Sequence, residues 1–77
     1  MNIARLKNFT EIVKNNFNIS ATAEKLYTSQ PTLSKQMKML EDELGLALFT
    51  RKGKILVGLA PMGEQVMELA RGVVAQV

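Results

Sequence analysis

From Ser29 to Lys38 the sequence SQPTLSKQMK sets hydroxyl, carboxamide and ammonium groups on one side of a helical pattern. On a wheel centred on Leu33 and Leu40, the outward face carries Pro31, Ser34, Lys35 and Lys38, with Gln30 and Thr32 flanking at the N-terminal end. Such groups recognise partners by hydrogen bonds and charge. Glutamine pairs bidentately with adenine, Ser34 and Thr32 suit several base edges, and Lys35 suits guanine acceptors or phosphate. Thr32 and Pro31 also present apolar surface to a thymine methyl. Ser29 stands at the same end as a polar contact and a candidate helix cap.

A second cluster, Arg51, Lys52 and Lys54, surrounds Gly53. Three cations on one tight turn repel one another, so an anionic partner such as a phosphate backbone or minor groove is the economical reading. The alternative is an exposed turn with solvated charges. Net charge is +3 and the pI about 9.5. From Lys25 to Lys54 there are six basic residues against three acidic, while the remainder balances. The excess positive charge therefore sits where a phosphate-facing surface needs it.

The chain has neither cysteine nor histidine. Thiolate nucleophiles, imidazole bases and the usual zinc ligands are thereby excluded, and no catalytic residue, metal or cofactor is expected. A length of 77 residues suits one small domain that must pack regular elements efficiently or share apolar surface with a partner. No apolar run approaches the ~18 residues needed to span a bilayer, and no signal-peptide core opens the chain, so a cytoplasmic protein with no membrane partner is expected.

The elements that must position these groups follow from spacing. Ile3, Leu6, Phe9, Val13 and Phe17 recur at helical intervals and predict a first helix over 2–16. Asn18 or Ser20 caps a short second helix holding Ala21, Ala23 and Leu26, ended by Tyr27 and Thr28. Ser29 caps the third, Pro31 fits its first turn, and Leu33, Met37, Leu40 and Leu44 mark its buried stripe before Gly45 stops it. The runs 46–50 and 55–59 read as a hairpin with a basic tip. Phe49 is assigned to the core, since no second aromatic accompanies it as a stacking platform.

Pro61 opens a last helix in which Met62, Val66, Leu69, Val73 and Val77 form a seam at coiled-coil spacing, widened by Met67, Ala70 and Val74. One edge of this arc is expected to cover the first helix and the other to meet the same helix of a second subunit; the alternative is burial of the whole arc within one chain. The pattern reaches Val77 uncapped, as though the element continued. Glu41, Asp42 and Glu43 crowd the third helix's C-terminus against its dipole. Either they orient the helix by repelling phosphate, or they form a solubilising surface with Lys38, four residues from Asp42.

Helix, turn, helix with a polar outward face, then basic hairpin: this order describes a winged helix-turn-helix. The fold expected is mainly α, a three-helix core with a two-stranded β wing, followed by a linker or dimerisation helix. Residues 1–59 form the DNA-binding domain, with the helix-turn-helix over about 19–38 and the wing over about 46–59. Residues 60–77 form the truncated start of the linker helix.

The runs SATAEKL from Ser20, SQPTLSKQMKMLEDELG from Ser29 and LFTR from Leu48 resemble the LysR-type transcriptional regulators. The wording YTSQP from Tyr27, MLEDELG from Met39 and RKGK from Arg51 is similar to the CysB-like branch. This resemblance covers essentially the whole chain. It implies a bacterial regulator, usually tetrameric, whose linker helices pair in a homodimer and whose absent C-terminal domain senses a small-molecule effector. It also implies contacts with double-stranded DNA at Gln30, Pro31, Thr32, Ser34, Lys35 and Lys38, and wing contacts at Arg51, Lys52 and Lys54. Thr22 departs from a common alanine and Ala60 from a common threonine. The rival readings are a winged helix whose basic face binds an acidic protein, and a nonspecific binder of nucleic acid or anionic membrane.

Overall fold

Side-chain caps start the first three helices of the computed structural model, which describes residues 2–75. In α1 (Ile3–Lys14), Asn2 Oδ1 accepts the N–H groups of Ala4 and Arg5 at 2.9 and 3.3 Å. In α2 (Ile19–Lys25), Asn18 Oδ1 accepts from Ala21 N–H at 2.9 Å. In α3 (Gln30–Leu44), Ser29 Oγ accepts from Thr32 N–H at 3.2 Å, with Pro31 in the first turn where its missing donor costs nothing. Gly45 closes α3 in the left-handed conformation at φ 71°. The chain continues as β1 (Phe49–Lys52), β2 (Ile55–Leu59) and α4 (Pro61–Ala75).

α1 ends two residues short of the expected Asn16, because Asn16 and Phe17 turn left-handed at φ 56° and 64°. Its buried face also differs from the expected stripe. Leu6, Phe9, Thr10 and Ile12 are buried, whereas Ile3 is 40% exposed and Val13 only partly covered. The cause is that α1 packs against both α4 and α3, so two flanks of the helix are covered rather than one. Thr10 is tolerated inside because its hydroxyl donates to the Lys7 carbonyl at 2.7 Å. Leu33, Met37 and Leu40 of α3 complete the centre with Leu48 and Phe49.

Phe49 is a core residue, as expected, and has aromatic company that linear spacing concealed. Its ring meets Phe9 edge-on at 5.5 Å and Phe17 at 6.3 Å. The Phe17 contact, with the Phe17 N–H bonded to the Ile12 carbonyl at 2.9 Å, accompanies a left-handed backbone conformation unfavourable by roughly 1–2 kcal/mol for a residue with a Cβ.

The hairpin begins at Phe49, not Leu46, and its first strand extends through Lys52. Antiparallel pairing joins Phe49 to Leu59 and Lys52 to Ile55, with a bulge between Thr50 and Arg51. Arg51 and Lys52 thus lie in the strand, and the turn is Gly53, left-handed at φ 63°, followed by Lys54. Residues 46–48 stay outside the ladder because the Leu48 N–H bonds instead to a side chain of α3, Glu41, at 2.8 Å.

α4 has two apolar edges with different fates. Gly63, Met67 and Ala70 face inward, and α4 lies against α1. A Cβ built on Gly63 would overlap the Leu48 carbonyl oxygen, so only glycine lets the helix approach this closely. Val66 is partly buried, while Met62, Leu69 and Val73 are 46%, 73% and 41% exposed. Burial of the whole arc within one chain is thereby excluded. Val77 and the side chain of Val74 lie outside the described residues. Among the described residues, no helix is long and apolar enough to cross a membrane.

Candidate nucleic-acid interface

The N-terminal half of α3 carries its buried stripe on one side and a continuous polar surface on the other. Gln30, Pro31, Thr32, Ser34, Lys35 and Lys38 are all exposed, beside buried Leu33 and Met37. Ser29 is exposed too, but its oxygen is already engaged: besides capping α3 it donates to Thr32 Oγ1 at 2.8 Å. Gln30 Oε1 accepts from Ser20 Oγ at 2.7 Å, across the α2–α3 turn. The back of the helix is tied to α1 where Asn8 Nδ2 donates to Gln36 Oε1 at 2.8 Å.

The wing stands beside this helix. Ser34, Met37 and Lys38 face Arg51, Gly53 and Lys54 across a groove of about 430 Å³. Among the described residues, Lys35, Lys38, Lys52 and Lys54 have no ion-pair partner. Lys38 of α3 and Lys54 of the wing, one unneutralised cation from each element, therefore sum their field across this groove.

Arg51, expected as a third free wing cation, is committed internally. Its Nη2 lies 3.0 Å from Glu41 Oε1, its Nη1 3.4 Å from Oε2, and its guanidinium stands 5.7 Å from the Phe49 ring centroid. Glu41 Oε2 also accepts the N–H groups of Leu48 at 2.8 Å and Phe49 at 3.4 Å. Glu43 pairs with Arg5 at 3.6 Å. Neither reading of the acidic run describes Glu41. It is the joint between the recognition-helix candidate and the wing, and its bonds offset an unfavourable placement at the helix C-terminus.

Sequence spacing missed Glu41 and Ser20 as contributors to the site. Glu41 was submerged in a run of three acids, and Ser20 was visible only as a possible cap. Their partners lie between seven and ten residues away along the chain, beyond the reach of helical periodicity.

Residues 3–64 match the family model described as bacterial regulatory helix-turn-helix protein, lysR family. This chain belongs to the lysR family. The lysR-family chain is 45% identical over 71 residues to the HTH-type transcriptional regulator CysB of Haemophilus influenzae, covering 92% of itself and 22% of that protein. It is 48% identical over 69 residues to the HTH-type transcriptional regulator SsuR of Burkholderia cenocepacia, covering 90% of itself and 22% of SsuR. The chain thus spans about a fifth of the length of these relatives, and the resemblance to the CysB-like branch is carried by them. Its fold superposes on the crystal structure of the BenM_DBD/catB site 1 DNA complex with a TM-score of 0.88 at 32% identity, covering 99% of this chain and 80% of that one.

The two departures from the common lysR-family wording have different consequences. Thr22 is fully buried, and its hydroxyl donates to the Asn18 carbonyl at 2.7 Å, so the extra polar atom is satisfied inside α2. Ala60 supplies no side-chain acceptor to the first N–H groups of α4; its own N–H bonds to the Leu48 carbonyl at 2.9 Å.

Proposed function

We propose that this chain is the DNA-reading part of an effector-controlled bacterial transcriptional regulator, binding duplex DNA sequence-specifically as a dimer. The observation that carries the reading is the groove between α3 and the wing, where unpaired Lys38 and Lys54 stand with Ser34, on the helix that also exposes Gln30, Thr32 and Lys35. A major groove admits one α-helix, whose N-terminal residues meet base edges. In this reading Gln30, Pro31, Thr32, Ser34 and Lys35 face bases, while Lys38, Lys52 and Lys54 meet phosphates or the adjoining minor groove. Ser29 presents the helix start, and Arg51 holds the wing against α3.

Residues 1–59 constitute the reading unit and 60–77 the start of a dimerisation helix. Met62, Val66, Leu69, Val73 and Val77 supply its seam, with three of them exposed in the isolated chain. Solved relatives in complex with DNA support the partner, and the family's regulators support a binding module rather than an enzyme. Effector sensing and higher assembly belong to a further C-terminal domain.

Selection from a random duplex library at ~0.15 M salt tests the reading, because nonspecific affinity is already weakened there. An enriched two-fold symmetric motif with half-sites about one helical turn apart is the expected result. Binding that enriches no sequence and vanishes with salt would leave a basic patch for some other anionic partner.

A further inference from the structure

Gln30 opens α3 with its side chain exposed, yet one end of its carboxamide is already held. The Ser20 hydroxyl, ten residues earlier on α2, donates to Oε1 at 2.7 Å. In this arrangement the oxygen end of the carboxamide faces Ser20 and its amino end points away. A free glutamine presents its donor and acceptor in either order, because its terminal torsion is broad and roughly two-fold. A base edge is sensitive to that order. Adenine sets the N7 acceptor beside the N6 amino donor, and a reversed carboxamide meets both with the wrong group.

We infer that Ser20 is a positioning residue that sets the order of donor and acceptor on Gln30, so that α2 shares in determining base preference. The inference rests on the DNA-reading function proposed above. The hydroxyl occupies one lone pair of Oε1 and leaves the other, with both Nε2 donors, for the base edge. Ser20 stands on a firm support: Asn18 caps α2, and Thr22 and Ala23 bury its inner face. Ser20 itself is exposed, so removing its hydroxyl opens no cavity.

The test begins with the sequence selected by the wild-type chain. Affinities of wild type, S20A, S20T, Q30A and S20A/Q30A are then measured for that duplex and for each single base-pair variant, over a range of salt. S20A is expected to lower affinity for the selected duplex about two- to tenfold, the range of one hydrogen bond. The discrimination lost should fall at the base pair that Q30A flattens, with an unchanged salt slope. The double mutant should lose little beyond Q30A, and S20T should restore the preference. A uniform loss on every duplex with a shallower salt slope would make Ser20 a phosphate contact and overturn the inference, as would additive losses or an S20A protein with unaltered preference. If wild type selects no sequence, the DNA-reading function itself falls, and the Ser20 role with it.

Discussion

Replacing Glu41 by alanine should destabilise the fold and loosen the wing together. The carboxylate accepts the N–H of fully buried Leu48 at 2.8 Å, a bond to a charged acceptor whose loss costs ~1.5–3 kcal/mol. The Arg51 pair adds less, since the Arg51 side chain is 38% exposed and solvent screens it; ~0.5–1 kcal/mol is the appropriate scale. The Phe49 N–H at 3.4 Å is too long to add much. The sum, ~2–4 kcal/mol, is a large part of the roughly 4–12 kcal/mol available to a domain of this size. Urea unfolding followed by far-ultraviolet circular dichroism measures it directly. Glu41→Gln keeps a neutral acceptor for Leu48 and should cost only about 1 kcal/mol. A Glu41→Ala protein within about 0.5 kcal/mol of wild type would refute the reasoning, as would a glutamine variant as unstable as the alanine one. Because Glu41 also joins β1 to α3, the alanine variant, assayed where it remains folded, should lose DNA affinity that the glutamine variant largely keeps.

Three further outcomes are expected. Lys35→Ala should weaken DNA binding; equal weakening on all sequences with a salt slope shallower by about one unit would identify a phosphate contact, and relaxed preference at one position a base contact. No change in affinity would count against α3 as the recognition helix. Leu69→Glu should leave the unfolding free energy of the monomer, measured at a concentration where it is dissociated, within about 0.5 kcal/mol of wild type, because Leu69 is 73% exposed, while sedimentation at higher concentration shows a weaker dimer. An unchanged dimer would discard the α4 seam. Gly63→Ala should destabilise by about 1–3 kcal/mol or more, since the new methyl meets the rigid Leu48 carbonyl rather than a movable side chain; a thermal midpoint equal to wild type would show that α4 can retreat without cost.

The polar face of α3 was legible because its determinants are local. Ser29, Pro31 and Gly45 bound the helix through their own backbone and capping chemistry, and the repeat of Leu33, Met37 and Leu40 leaves only one way to turn it. The two apolar edges of α4 were legible for the same reason. Which of them is covered was open until α4 packed against α1, with Met67 and Ala70 buried while Leu69 and Val73 stayed outside. The extra burial on α1 arose likewise, since a helix between two others is covered on more than one stripe.

Charge and hydrogen-bond bookkeeping lay beyond the linear chain. Composition places Arg51 with Lys52 and Lys54, yet the fold brings Glu41 to Arg51 and to the Leu48 N–H, converting a free cation into a joint. It also brings Ser20 to Gln30 and the Gly63 backbone against Leu48. By itself the sequence determined the limits of α3, its inward stripe and its exposed polar face, because these depend on neighbours within a few residues. Only the tertiary structure decided which polar groups on that surface remain free, because a hydrogen bond or ion pair exists only where two distant segments are brought within about 3 Å.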